Sequence, residues 1–442
     1  MSQVAERHET LVAAFEAFRR DATFGPDSLR RSREHAFETF LERGFPSTRD
    51  EDWRFTSVAP IAELTFERPG SEVPDRSAIE PFLLPGARCQ IVVINGRLSR
   101  ALSTLDQLPA GVTIETLAET LATAKDLGAG ARSAGSSETV FANLNGAFFE
   151  DSVTIRVSPR TVVSEPIHVL FVNVQGAKPT LVAPRLSVVA GEASQVSVVE
   201  SHAGTGHVPL LSAAVTTIDL DQAAVVDHLK IQRETSHAFH MAFTDARLSR
   251  SSTLTSRAIS FGGRIARNDI VALLDGEGAE CTLHGLYVYD GDRLFDTHTT
   301  IDHAKPYCPS HEIYKGILGG RSKAVFNGKI IVRPDAQKTD AKQTNKALLL
   351  TDDAQINTKP QLEIFADDVK CTHGAAIGQL DDDAIFYLRA RGMTYAEARD
   401  MLIHAFAGQV LEGVAVEPLR AALEVELFEQ LARDLAEVDA KG

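Results

Sequence analysis

The stretch DDVKCTHGAAIGQLD, residues 367–381, sets Cys371 and His373 two positions apart, between a charged run and a glycine. In an extended strand side chains alternate, so Cys371 and His373 project to one side and Thr372 to the other. Gly374 then removes bulk beside them. A thiolate is a soft ligand and a neutral imidazole suits the same first-row metals. Together on one face they form half of an iron, zinc or iron–sulfur site. The other half has to come from another segment or another chain. The same two residues also read as half-buried side chains ending a sheet, and their types and spacing do not choose between the two.

Other candidates carry less. CTLHG (281–285), DTHTTIDH (296–303) and CPSH (308–311) contain His284, His298 and His303 as further possible ligands, and SHAFH (236–240) holds a His-x-x-His pair. Zinc sites show paired short spacings, whereas each of these pairs stands alone, so each reads first as a polar core or surface residue. A phosphate loop needs a lysine followed by a hydroxyl and preceded by a distant glycine. In VFNGKII, Gly328-Lys329 is followed by Ile330, and the segment reads as a strand. SFGGRIARND (260–269) lacks the dinucleotide spacing, so no nucleotide site is expected in this chain. There is no G-x-S-x-G elbow. A stand-alone, carbohydrate-active β-helix would use paired acids such as Asp367 and Asp368, or Asp296 and Asp302. Such helices are usually secreted, and MSQVAERHETLVAAFEAFRR has no apolar stretch leading to a small-residue cleavage site.

The elements that must position Cys371 and His373 are β-strands. From 151 to about 380, segments such as DSVTIRVSP, QVSVVESH, HGLYVYDG and KAVFNGKIIV are short, rich in β-branched residues and stopped by Gly, Asn, Asp or Pro. No helical stripe interrupts them, which argues against βαβ units. Turn punctuation recurs without a strict period, which suits an irregular β-solenoid better than a propeller. Residues 1–45 read as helical, with Leu11, Phe15 and Phe18 on one stripe. Trp53 reads as a packing anchor and RPGSEVPDRS (68–77) as a linker. The division expected is 1–85 helical, 86–380 β-solenoid and 381–442 helical. In the last part Thr394 and Glu397 form a capping box, Met401, Leu402 and Phe406 an apolar face, and Leu419, Leu423, Leu427, Leu431 and Leu435 a stripe opened by Pro418. That part holds 13 acidic and 6 basic residues, a net charge of −7.

Over the 442 residues the net charge is −15, which disfavours nucleic acid, since phosphate binding needs clustered Lys and Arg. Apolar residues make up 44%, enough for a large core, and no apolar run approaches the ~18 residues of a membrane span. Cys89, Cys281, Cys308 and Cys371 are far apart with no C-x-x-C, so reduced thiols and a cytoplasmic location are expected.

The run TKPQLEIFADDVKCTHGA followed by GQLDDDAIFYLRARG, within residues 351–393, resembles the C-terminal signature of the SufB/SufD family of iron–sulfur cluster assembly proteins, and RDEDWRFT near the N-terminus fits the same family. The form His373-Gly374-Ala375, with Gly378-Gln379-Leu380 after it, resembles the SufD branch. The resemblance implies a right-handed parallel β-helix between helical ends. It implies a heterodimer with a SufB-like paralogue through the β-helix ends and a SufC-like ABC ATPase docked on the C-terminal helices. It further implies a non-enzymatic scaffold on which a transient iron–sulfur cluster forms at the partner interface, with His373 as a ligand shared with the partner chain and Cys371 beside it. The residues do not tell whether such a complex binds flavin. A homodimer handling iron without the paralogue is the other arrangement the strand ends allow.

Overall fold

The computed structural model describes residues 8–21, 24–123, 140–174 and 176–439. From Leu210–Leu220 to Asp340–Leu349 successive strands alternate between two ten-stranded sheets, and each pairs in parallel with the strand two places before and two places after it. The chain therefore climbs a parallel β-solenoid of about eight turns, closed at its start by the antiparallel pairs of Cys89–Ile94 with Arg97–Leu98 and of Val112–Thr116 with Val153–Val157. Alternation does the sorting. Val, Ile, Leu and Ala at every second position stack in the bore, as in Val196, Val226, Leu254, Cys281 and Ala341.

The rungs share one corner. Arg160, Ala193, Ala223, Ser251, Gly278, Tyr307 and Lys338 all have positive φ, each 27 to 33 residues after the last. Each donates its backbone N–H to a carbonyl one rung on, Ala193 to Gln222, Ser251 to Glu277 and Lys338 to Asp368, for example. This period is hidden in the sequence because only one of the seven is glycine. The others accept a left-handed conformation that costs on the order of 1 kcal/mol each, offset by the inter-rung hydrogen bond.

The helical ends cover opposite sheets. Glu9–Arg19, Asp27–Arg43 and Val140–Phe148 build an aromatic cluster that includes Phe15, Phe18, Phe37 and Phe148, packed on Leu211, Phe239 and Met241 of one sheet. Residues 1–7 of the expected helical segment lie outside the described residues. Trp53 is the anchor expected: it is buried against Phe141, with the Arg267 guanidinium 3.8 Å above its ring. On the other sheet lie Asp382–Ala390, Tyr395–Leu411 and Glu417–Asp439. The Thr394–Glu397 capping box is formed in both directions.

The apolar face of the Tyr395–Leu411 helix overlaps the Met401–Leu402–Phe406 expectation only in part: Phe406 packs against the core at its flank. Ala398, Ile403, Ala407, Val410 and Leu411 are buried, while Met401 is 50% exposed. Small residues at 398, 407 and 408 let the helix lie close to the sheet, which turns the bulkier side chains outward or to its flanks. Leu419, Leu423 and Leu427 do form a stripe, and it is buried against the chain's own solenoid. The side chains of Leu431 and Leu435 lie outside the described residues.

Candidate functional site

Cys371 and His373 sit on Lys370–Gly378, which with Gln355–Ile364 forms the last rung. Among the described residues each of these strands pairs on one side only, with Asp340–Leu349 and Lys323–Val332 respectively. Neither contains a buried residue, and Ile364, Phe365 and Ile377 are exposed. The rung is therefore an open end with unpaired backbone donors and acceptors, the feature that most readily templates another chain.

The register puts both residues on one side, as their spacing requires, and that side faces the bore. Cys371 lies on Ala341 and His373 on Gln343, both buried, whereas Lys342 between them is exposed. Cys371 packs partly against Ile330, Val332 and Ala366. Burial pushes its thiol pKa upward, the backbone hydrogen bond at Ala341 opposes this, and the Asp340 charge adds to the rise. In the isolated chain the thiol is protonated near neutral pH, and a metal or a partner cation is needed to make it a thiolate. His373 is exposed at the rim. A Cβ added at Gly374 would meet nothing within 4 Å, so the space beside the pair is open on the side a partner would approach.

Below His373 the column continues inward. Gln343 Nε2 donates to Glu312 Oε2 at 2.8 Å, and Thr299 Oγ1 donates to Glu312 Oε1. Glu312 is fully buried, and its burial pushes the carboxyl up to about 7 despite those two bonds. A group that titrates near neutrality thus stands two rungs beneath the rim.

The remaining sequence candidates are dispersed. His298 lies on the outer face, bound to Asp296, which also takes Arg267 and Thr56. Burial opposes ionisation of Asp296, but Arg267 and His298 outweigh it and hold the carboxyl down at about 2. This ion cluster fastens the RDEDWRFT segment to the solenoid. His284 is half-buried on the outer face of the other sheet, and His303 is buried beside Ser310. Burial lowers both to about 4. Neither joins Cys371 and His373 through any described contact. Asp302 is paired with Arg333 and Asp368 with Lys338, so neither proposed acid pair is left as two free carboxyls. VFNGKII is part of the strand Lys323–Val332.

One set of polar residues escaped the sequence reading. At the N-terminal rungs the bore contains Glu200, His202, His228, Lys230, Gln232, Glu234 and His240, all buried. The signal was a polar residue at successive inward positions of QVSVVESH and of VVDHLKIQRE, where the strand pattern calls for apolar ones. Of the His-x-x-His pair, only His240 enters this set; His237 is exposed and packs on His207, ring centroids 5.9 Å apart.

The open parallel solenoid between helical ends belongs to a known class of protein. The SufBD core domain of the SUF iron–sulfur cluster assembly system matches residues 171–406, and the SufBD N-terminal region matches 8–169. An iron–sulfur cluster assembly SufBD family protein of Synechocystis is 34% identical over 86% of this chain and 86% of its own length. The chain belongs to the SufB/SufD family. Within it the chain is SufD-like: the iron–sulfur cluster assembly protein SufD of Escherichia coli is 29% identical over 89% of this chain and 91% of its own. A chloroplastic protein of Arabidopsis thaliana is 29% identical over 87% of this chain. Among the described residues no helix is long and apolar enough to cross a membrane.

Proposed function

We propose that this chain is a scaffold subunit that assembles nascent iron–sulfur clusters together with a SufB-like paralogue, through the open end of the solenoid. The observation that carries the reading is the placement of Cys371 and His373: they end two bore columns on a rung whose outer edge is unpaired. Strand addition at that edge would bring a partner's ligands to the same rim. His373 is assigned as a cluster ligand shared with the partner, and Cys371 as a weaker one. A half-site of this kind can form a cluster and release it when the two scaffolds move apart.

The C-terminal helices are assigned to docking of a SufC-like ABC ATPase. Their Leu419–Leu423–Leu427 stripe is used internally, so the contact falls to the outward side, where Phe386, Tyr387, Tyr395 and Met401 are exposed. ATP hydrolysis would then belong to the partner, and this subunit would act in the cytoplasm without an active site of its own. The test is co-purification of the tagged chain from its own cells with mass spectrometry. Recovery of a SufB-like chain and an ABC ATPase supports the reading, and a chain that is stable and free of both sinks it.

A further inference from the structure

The polar residues in the N-terminal bore converge at one corner of the solenoid. His202 ends the inward run of Gln195–Thr205, Glu234 begins the turn after Val225–Arg233, and His240 opens Ala238–Leu248. One ligand atom from each of the three lies within 4.8 Å of the others, and all three are buried. The His202 and His240 rings meet edge to face, centroids 4.8 Å apart.

Their hydrogen bonding leaves ligand atoms unused. His202 Nε2 donates to Glu200 Oε1 at 2.6 Å, so its Nδ1 carries the lone pair, and that atom is buried with no hydrogen-bond partner. His240 Nδ1 lies 2.7 Å from Glu234 Oε2, and its Nε2 likewise has no hydrogen-bond partner while the residue is 0% exposed. Buried polar atoms without partners are rare and call for a cause. Glu234 accepts from the Asn173 amide at Oε1, 3.1 Å, and from the Gln232 amide at Oε2, 3.0 Å, the oxygen that also faces His240. The arrangement has the components of a metal site. A carboxylate fixes the tautomer of one histidine, and amides fix the ligating carboxylate, as outer partners of metal ligands do. Two buried carboxylates, Glu200 and Glu234, face a single buried lysine, Lys230, whose Nζ is turned to Asn268. A cation at the corner would balance that charge.

We propose that His202, Glu234 and His240 bind a first-row divalent transition metal inside the solenoid. Two imidazoles and one carboxylate suit iron(II) or zinc(II), whose bonds of about 2.0–2.2 Å set ligand atoms about 3.0–3.5 Å apart, so the three atoms close up from within 4.8 Å of one another. The turn joining Glu234 to His240 carries Ser236 and His237 on the outside, and the exposed His207–His237 pair covers the same corner. The site is therefore one turn's thickness from solvent, and that turn is the route by which the ion enters. This site shares no residue with the Cys371–His373 rim and does not depend on the cluster reading.

The test uses the full chain carrying Cys371→Ser and His373→Ala, so that the rim cannot bind. Metal-free protein is titrated anaerobically with cobalt(II), whose visible absorption reports nitrogen–oxygen ligation. The expected result is one equivalent bound, with affinity reduced at least tenfold by His202→Asn and by His240→Gln, and displacement by zinc(II) or iron(II) assigning the preferred ion. No binding to the rim variant, or binding unchanged by both histidine substitutions, overturns the proposal. Should either substitution prevent folding, anomalous diffraction from the cobalt-soaked rim variant decides: a peak between His202 and His240 supports the site, and its absence there refutes it.

Discussion

Two polar regions share the bore of this solenoid. Around Glu200 and Glu234, rungs above and below enclose histidines, carboxylates, a lysine and amides, and most of their hydrogen bonds are made within the chain. At the last rung the same alternation presents Cys371 and His373, and among the described residues no strand pairs above them. Between the two stand Tyr287, Phe295, Tyr314 and Phe326, with Gly285 and Gly316 beneath the tyrosine rings. Inward polar residues alone therefore do not mark the site where a partner's chemistry happens. Enclosure decides whether such residues are bonded mainly to one another, with a few atoms such as His202 Nδ1 left over, or stand open to another chain.

The comparison can be broken most strongly at the closed end. Glu200→Leu removes the acceptor of His202, His228 and Thr216 in the interior, and loss of one member of a buried charged network costs about 3–5 kcal/mol. Chemical denaturation should show that loss, and a change within 1 kcal/mol would mean that the chamber is looser than its hydrogen bonds imply. Next comes Glu312. Its folded pKa of about 7 lies above the ordinary carboxylate value of 4.5, so it is protonated in both states below about pH 4.5 and only in the folded state up to about 7. Stability should fall across that window by on the order of 3 kcal/mol in wild type relative to Glu312→Gln, and parallel pH profiles for the two proteins would remove the shift.

Gly316→Ala tests the aromatic partition. The new Cβ would lie 2.1 Å from the Tyr287 ring, and overpacking of this kind costs about 1–3 kcal/mol. The smallest effect belongs to the open end: Cys371→Ser with His373→Ala should leave stability within about 0.5 kcal/mol, because neither side chain is enclosed. A large loss in that variant would show that the pair is structural.

Much of this was legible in the sequence. Strand alternation and turn residues gave the solenoid and its helical ends, and period-two spacing put Cys371 and His373 on one side, which the register confirms. The rung period was not legible, because the left-handed corners are held by Ala193, Ala223, Ser251, Tyr307 and Lys338 rather than by glycine. The buried face of Tyr395–Leu411 was misread because small residues, which carry little hydropathy, are what allow close helix–sheet contact. The His202–Glu234–His240 corner was not legible as a group, because its members come from two strands and a turn that only the stacking of the rungs brings together.

The most direct test of the rim is cluster formation on the reconstituted complex of this chain with its SufB-like and ATPase partners, followed anaerobically by visible absorption. His373→Ala should cut the rate or yield at least tenfold while the complex still assembles. Wild-type cluster formation by that variant would contradict the assignment of His373 and leave the open end as a protein-binding edge alone.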